Sequence, residues 1–194
     1  MQEALVLSSD LYKNRFVVME VGVYRSLLNH LQIPKEMNPL YIGVDIDKNS
    51  LNFQPTEHAP ESQPMHADIT SSKFLNDKKF DGNIDRFIAF NVLSNLPHNE
   101  VVVPKIIAKI GALLKPGGQA IIVEFQTPQD AETLLKLDVS KYGLRAETTS
   151  DQERAQKMLS SLHLSSAKTN QILTRLKPKE NGHREPFITV LTRV

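Results

Sequence analysis

Three acidic side chains and one glycine, each at the end of an apolar run, are the residues of this chain best placed to do chemistry. Phe16 to Met19 is apolar and closes in Glu20; Gly22 follows two residues later, and an apolar helical pattern then begins. That order reads as a strand, a tight turn and a helix, the unit that wraps a nucleotide-like ligand at the carboxyl end of a parallel sheet. A second run, Leu40 to Val44, ends in Asp45, 25 residues after Glu20. An acid near that spacing commonly accepts hydrogen bonds from a pair of ribose hydroxyls. A third, shorter run from Pro64 to Ala67 is followed by Asp68. Carboxylate oxygens accept hydroxyl and amino hydrogens well, and a glycine lets the backbone approach a ligand closely.

The elements that must position these residues alternate along the chain. Strands are expected at 16–21, 40–45, around Pro64 to Ala67, at 84–92, 120–125, 144–148 and 186–193. Helices are expected at 25–33 (stopped by Pro34), 99–114, 128–138, 151–162 and 165–177, the last with Ser165 as N-cap. Phe87 to Phe90 is apolar on both faces, as in a parallel strand covered by helices on both sides. Ile106, Ile107, Ile110, Leu113 and Leu114 recur at helical spacing, with Pro104 marking a kink or the true helical start, and Pro116-Gly117-Gly118 is expected to end that helix sharply. Residues 52–64 carry three prolines and read as a surface loop. The alternation predicts an α/β fold: a doubly wound, mostly parallel seven-stranded sheet in one domain. Its cofactor half spans about 16–125, and the helices and antiparallel closing strand of 126–194 complete it.

Composition narrows the chemistry. The chain has 194 residues, no cysteine and a net charge of +1. Disulfides, thiolate metal sites and a cysteine nucleophile are therefore excluded, and nothing in the overall charge calls for nucleic acid as a partner. The charge is uneven: residues 136–194 carry 11 Lys/Arg against 6 Asp/Glu, and residues 1–135 carry 12 against 16. A mildly basic last third could meet an acidic substrate, although a solvated helical face is the commoner origin of such a bias. No secretory signal pattern and no membrane-spanning apolar run are visible, so a cytoplasmic location and no membrane partner are the expectations.

Taken in order, Glu20-x-Gly22, Gly43-Val44-Asp45, Ala67-Asp68, Asp85…Asn91 and Leu114-Lys115-Pro116-Gly117-Gly118 resemble the class I S-adenosylmethionine-dependent methyltransferases over about residues 16–125. The resemblance implies that Glu20 and Gly22 lie against the methionine and ribose parts of S-adenosylmethionine, with Tyr24 beside them. It implies that Asp45 binds the ribose hydroxyls, that Asp68 contacts the adenine amino group, and that Asn91 sits near the transferred methyl. With no tail, basic groove or recognition module visible, a small-molecule acceptor is the expectation, its site shaped by the loop Asn91 to His98 and the C-terminal helices. In the family the first turn carries further glycines, where Tyr24 and Ser26 stand here. A catalytically silent module of the same fold, used for binding or scaffolding, is the competing reading. A nicotinamide-dependent oxidoreductase is disfavoured, because Gly22 lacks the two later glycines that admit a pyrophosphate.

Other residues have plainer alternatives. Glu20 and Asp45 also fit as strand-end caps, and Asp68 as an ordinary turn aspartate. Asp47 reads as an N-cap, Asp81 as part of an Asp-Gly turn and Asp85 as structural. His98, after Pro97 on the expected acceptor side, is a candidate general base, although a surface histidine is the commoner case. His66-x-Asp68 has no third partner at metal-ligand spacing, so no metal is expected.

Overall fold

The computed structural model describes residues 9–23, 27–93, 96, 101–124, 136–176 and 187–194. Its strands are β1 (Phe16–Val21), β2 (Pro39–Asp45), β3 (Glu61–His66), β4 (Ile84–Phe90), β5 (Leu114–Glu124), β6 (Leu144–Thr149) and β7 (Phe187–Arg193). They form one seven-stranded sheet in the order β3-β2-β1-β4-β5-β7-β6. The pairs from β3 to β5 are parallel, and β7 runs antiparallel to both β5 and β6. Described helices are α1 (Ser72–Asn76), α2 (Val102–Leu113), α3 (Gln152–Ser160) and α4 (Ser166–Arg175). The expected doubly wound, mostly parallel sheet with an antiparallel last strand is the observed one.

The period-two alternation of side chains divides the core between the two faces of the sheet. Val17, Met19 and Val21 of β1 join Ile106, Ile107 and Ile110 of α2 in one cluster. Phe16 and Val18 point the other way, into a cluster with Leu159 of α3 and Ile172 and Leu176 at α4. All six residues of β1 are buried, the acid Glu20 among them, as expected of a strand covered on both faces.

Four local expectations need correction. Within the expected helix 25–33, the described residues form only a short 3-10 turn, Leu28–His30, and Leu31 is already extended. Leu27, Leu28, Leu31 and Ile33 are all buried in this arrangement, so the apolar spacing that suggested a helix is satisfied by a turn plus an extended segment. The loop expected over 52–64 ends earlier, because Glu61 to Pro64 belong to β3. That strand lies at the sheet edge, where a proline costs no essential ladder bond. β4 ends at Phe90 rather than Val92. Lastly, Pro116-Gly117-Gly118 does not end α2. The chain passes from α2 directly into β5 at Leu114, and the Pro-Gly-Gly segment is a bulge between the pairs Ile84↔Leu114 and Arg86↔Gln119. Gly117 has φ +75°, and a Cβ on Gly118 would come within 2.9 Å of the Ile84 carbonyl oxygen. The expected helix 128–138 lies mostly outside the described residues.

Helices α3 and α4 form an insertion between β6 and β7 that packs beside the short turn after β1. Gln32 N donates to His163 O (2.6 Å), and Ser165 N donates to His30 O (2.8 Å). Ser165 also caps α4, its hydroxyl accepting from Lys168 N at 3.3 Å, as the sequence predicts. Replacing this N-cap, Ser165→Ala, is expected to cost about 1 kcal/mol and to lower the melting temperature by roughly 2–4 °C, read by thermal unfolding. No helix among the described residues is long and apolar enough to cross a membrane.

Candidate functional site

Strand order reverses at β1: the chain moves outward through β2 and β3 on one side and through β4 and β5 on the other. The crevice at the carboxyl ends of strands flanking such a reversal is where doubly wound sheets take ligands. A cavity of about 720 Å³ opens there, lined by Glu20, Gly22, Asp45, Asp68 and Asn91 among others. Five of the seven residues singled out from the sequence therefore share one cavity. The other two, Tyr24 and His98, lie outside the described residues. Lys115 and the Pro-Gly-Gly bulge sit at the amino end of β5, away from this cavity, and Lys115 holds Asp85 Oδ2 at 2.6 Å. The string most typical of the family is thus a structural joint here.

Glu20, at 2% exposure, is the deepest acid in the cavity. Its Oε2 accepts from Leu27 N at 2.9 Å and from the hydroxyl of Tyr41. Burial pushes its carboxyl up from 4.5 to about 7, against the opposing pull of those two hydrogen bonds and of the Lys168 charge. A buried acid poised this way gains from a cationic ligand beside it.

Asp45 and Asp68 are each tied down by one oxygen. Asp45 Oδ1 accepts from Asp47 N (2.8 Å), and Asp68 Oδ1 accepts from Thr70 N (2.8 Å) and Thr70 Oγ1 (2.7 Å). The second oxygen of each has no hydrogen-bond partner among the described residues. Both acids are therefore local turn residues with an acceptor oxygen to spare. Asp47 caps the turn after β2 through Asn49 N, Asp81 pairs with Lys109 at 2.6 Å, and Asp85 accepts from Val17 N at 2.7 Å; none of the three lines the cavity. The ring of His66 is 2.9 Å from Ile46 O, and no cluster of three metal-ligating side chains occurs among the described residues.

Gly22 turns the chain at φ +73°, and its N–H donates to Val44 O at 2.9 Å. A Cβ there would lie 2.6 Å from Val92 Cγ2, which lines the same cavity. Gly22→Ala is expected to lose about 1–2 kcal/mol from the left-handed backbone alone, seen as a lower melting temperature. It should also weaken any ligand that the turn approaches closely. Asn91 is likewise left-handed, φ +53°, with its N–H bonded to Val123 O at 2.7 Å. Asparagine enters this region more readily than other non-glycine residues, as Asn14 (φ 58°) and Asn38 (φ 49°) also do.

Two contributions were not singled out from the sequence. Glu124, 1% exposed at the end of β5, accepts from Val92 N (3.1 Å) and Leu93 N (2.9 Å) and so fixes the segment leaving β4. Its position after an apolar strand, like that of Glu20 and Asp45, was the available signal. From α4 come Lys168, Gln171, Ile172 and Arg175, which close the cavity from above. Their spacing of three, four and seven residues places them on one helical face, but only the fold brings that face over β1.

No protein-family model and no curated protein sequence matches the chain. Among solved structures it is similar to phosphoethanolamine N-methyltransferase 2 of Haemonchus contortus in complex with phosphomonomethylethanolamine and S-adenosylhomocysteine. The TM-score is 0.50 at 13% identity, covering 93% of this chain and 49% of that one, so the chain spans about half that enzyme's length. Geranyl diphosphate C-methyltransferase of Streptomyces coelicolor, in complex with Mg2+, geranyl diphosphate and S-adenosyl-L-homocysteine, is also similar, with a TM-score of 0.55 at 9% identity over 93% of this chain and 72% of that one. So is the [4+2]-cyclase SpnF, with a TM-score of 0.53 at 14% identity over 95% and 79%. At these identities the likeness is one of fold, and it joins the strand order and the cavity at the β1 switch point in a single conclusion: this chain has the fold of the class I S-adenosylmethionine-dependent methyltransferases.

Proposed function

We propose that the protein binds S-adenosylmethionine in the cavity at the ends of β1 to β4 and transfers its methyl group to a small-molecule acceptor. The observation that carries this reading is the convergence of Glu20, Gly22, Asp45 and Asp68 on one cavity, with an unpartnered oxygen on each aspartate. The cofactor, when bound, supplies a methyl group already activated on a sulfonium centre. The chain's task is then binding, alignment and exclusion of water. Asp45 offers its spare oxygen to the ribose hydroxyls, and Asp68 offers its own to the adenine amino group. Glu20 faces the positive charge of the methionine portion, which favours its ionised form. Phe90, Val92, Leu96 and Ile172 line the same cavity and supply apolar walls. Asn91 and, on the acceptor side, His98 are the candidates for contacting the acceptor, with His98 as proton acceptor.

Similarity to a [4+2]-cyclase is a reminder that one fold hosts several reactions, so a residue-level test comes first. Adding S-adenosylhomocysteine to the isotope-labelled protein should shift the backbone amide signals of residues 20–22, 44–46, 67–70 and 91–92. Shifts confined to other regions would refute this placement of the cofactor.

A further inference from the structure

A second cleft, about 710 Å³, adjoins the first and shares Lys168, Gln171 and Arg175 with it. The two differ sharply in chemistry. Three acids line the first, whereas the described lining of the second contains none. Five carboxamides (Asn29, Asn49, Asn52, Gln54 and Gln171) and the Ser50 hydroxyl line it instead. Its ionisable side chains are all basic: His30, Lys168 and Arg175. Lys168 stands close enough to His30 that its charge, after burial, helps to hold the imidazole below its ordinary value. Lys168 also occupies the first turn of α4, where the helix dipole disfavours a cation. It stands two helical turns from Arg175 on the same face, and its charge also acts on buried Glu20 of the first cavity.

From this juxtaposition we infer that the acceptor is an anion: a phosphorylated or carboxylated, hydroxyl-rich small molecule. Lys168 and Arg175 hold its oxyanion at the boundary of the two clefts, and the carboxamides of the second cleft hold its polar body. Lys168 and Arg175 line both clefts, whereas the three acids line the first alone, so an oxyanion held by the basic pair lies next to the cofactor, at the border of a second cleft whose described lining holds no acid. The inference rests on the cofactor reading above. It adds the acceptor's charge and names the helical insertion between β6 and β7 as the element that selects it. Amide side chains present donors and acceptors together, which suits hydroxyl groups, and guanidinium binds phosphate or carboxylate in a forked geometry.

The test uses the full chain with two probes, glycerol 3-phosphate and gluconate, each titrated with and without saturating S-adenosylhomocysteine. Binding is followed through the imidazole signals of His30, assigned with a His30→Gln variant. The expected result is that at least one probe binds while S-adenosylhomocysteine stays bound, and that it raises the His30 pKa by about one unit as the oxyanion favours the imidazolium. The arm that binds tighter identifies the oxyanion. Arg175→Gln and Lys168→Gln should each weaken the probe about tenfold, more than they weaken S-adenosylhomocysteine. No binding of either probe at millimolar concentration overturns the inference. Mutual displacement of probe and S-adenosylhomocysteine also overturns it, because the basic pair would then serve the cofactor's own carboxylate. So does an equal loss of both ligands in the variants. Failure of S-adenosylhomocysteine to bind, read separately by calorimetry, removes the cofactor reading itself, and the acceptor role with it.

Discussion

Glu20→Gln should make the empty protein more stable at pH 8 and at the same time weaken its grip on S-adenosylmethionine. Glu20 is 2% exposed, and burial raises its carboxyl to about 7. The folded protein therefore holds a proton on this group between pH 4.5 and 7 that the unfolded chain has already released. Stability from this group is fully present below pH 4.5 and is lost as pH rises through 7. The difference of roughly 2.5 pH units corresponds to about 3 kcal/mol by pH 8. Glutamine is neutral at every pH, and its carbonyl oxygen in the place of Oε2 can accept from both Leu27 N and the Tyr41 hydroxyl. The variant should thus melt roughly 6–12 °C higher than the parent at pH 8, and the gap should shrink towards pH 5. Its affinity for S-adenosylmethionine at pH 8 should fall about 10- to 100-fold, the value of one charge-assisted contact. Thermal unfolding and calorimetry at both pH values read the two effects. Equal melting temperatures at pH 8 would show that Glu20 carries no buried charge.

Asp45→Ala is expected to have the larger effect on binding. If the carboxylate accepts both ribose hydroxyls, two charge-assisted hydrogen bonds disappear, each worth about 1.5–3 kcal/mol, and affinity falls at least about 100-fold. Because Asp45 Oδ1 also receives Asp47 N at 2.8 Å, alanine removes a turn contact as well. Asp45→Asn is the control: it keeps an acceptor for Asp47 N and loses only the charge. The asparagine variant should retain the parent's melting temperature within about 1 °C, since an exposed turn contact contributes little, while still losing about tenfold in affinity. Unchanged affinity in both variants would remove Asp45 from the site.

The strands at the centre of the sheet were legible in the sequence because they are buried on both faces. Phe16 to Met19 and Leu40 to Val44 are apolar runs, and each ends in an acid that emerges at the cavity. The glycine turn was legible for a similar reason: a left-handed residue after a strand restricts the choice to few side chains. What escaped was non-local. Leu27 to Ile33 has helical apolar spacing, yet the segment is capped by the α3–α4 insertion and needs only one turn to bury the same leucines. The Leu-Lys-Pro-Gly-Gly string reads as a helix end because Pro and Gly break helices, and a bulge at the start of β5 uses the same two properties. Lys168 and Arg175 looked like a solvated helical face. Their place over β1 depends on α4 folding back across more than 140 residues of chain, which no local pattern encodes.

One measurement tests the central claim directly: titration calorimetry of the folded protein with S-adenosylhomocysteine at pH 8. Binding of one molecule per chain with micromolar affinity, lost in Asp45→Ala, is the result expected of a cavity built from Glu20, Gly22, Asp45 and Asp68 to hold this cofactor. Absence of binding at millimolar ligand, with a cooperative melting transition proving the protein folded, would contradict it and leave a silent module of the same fold.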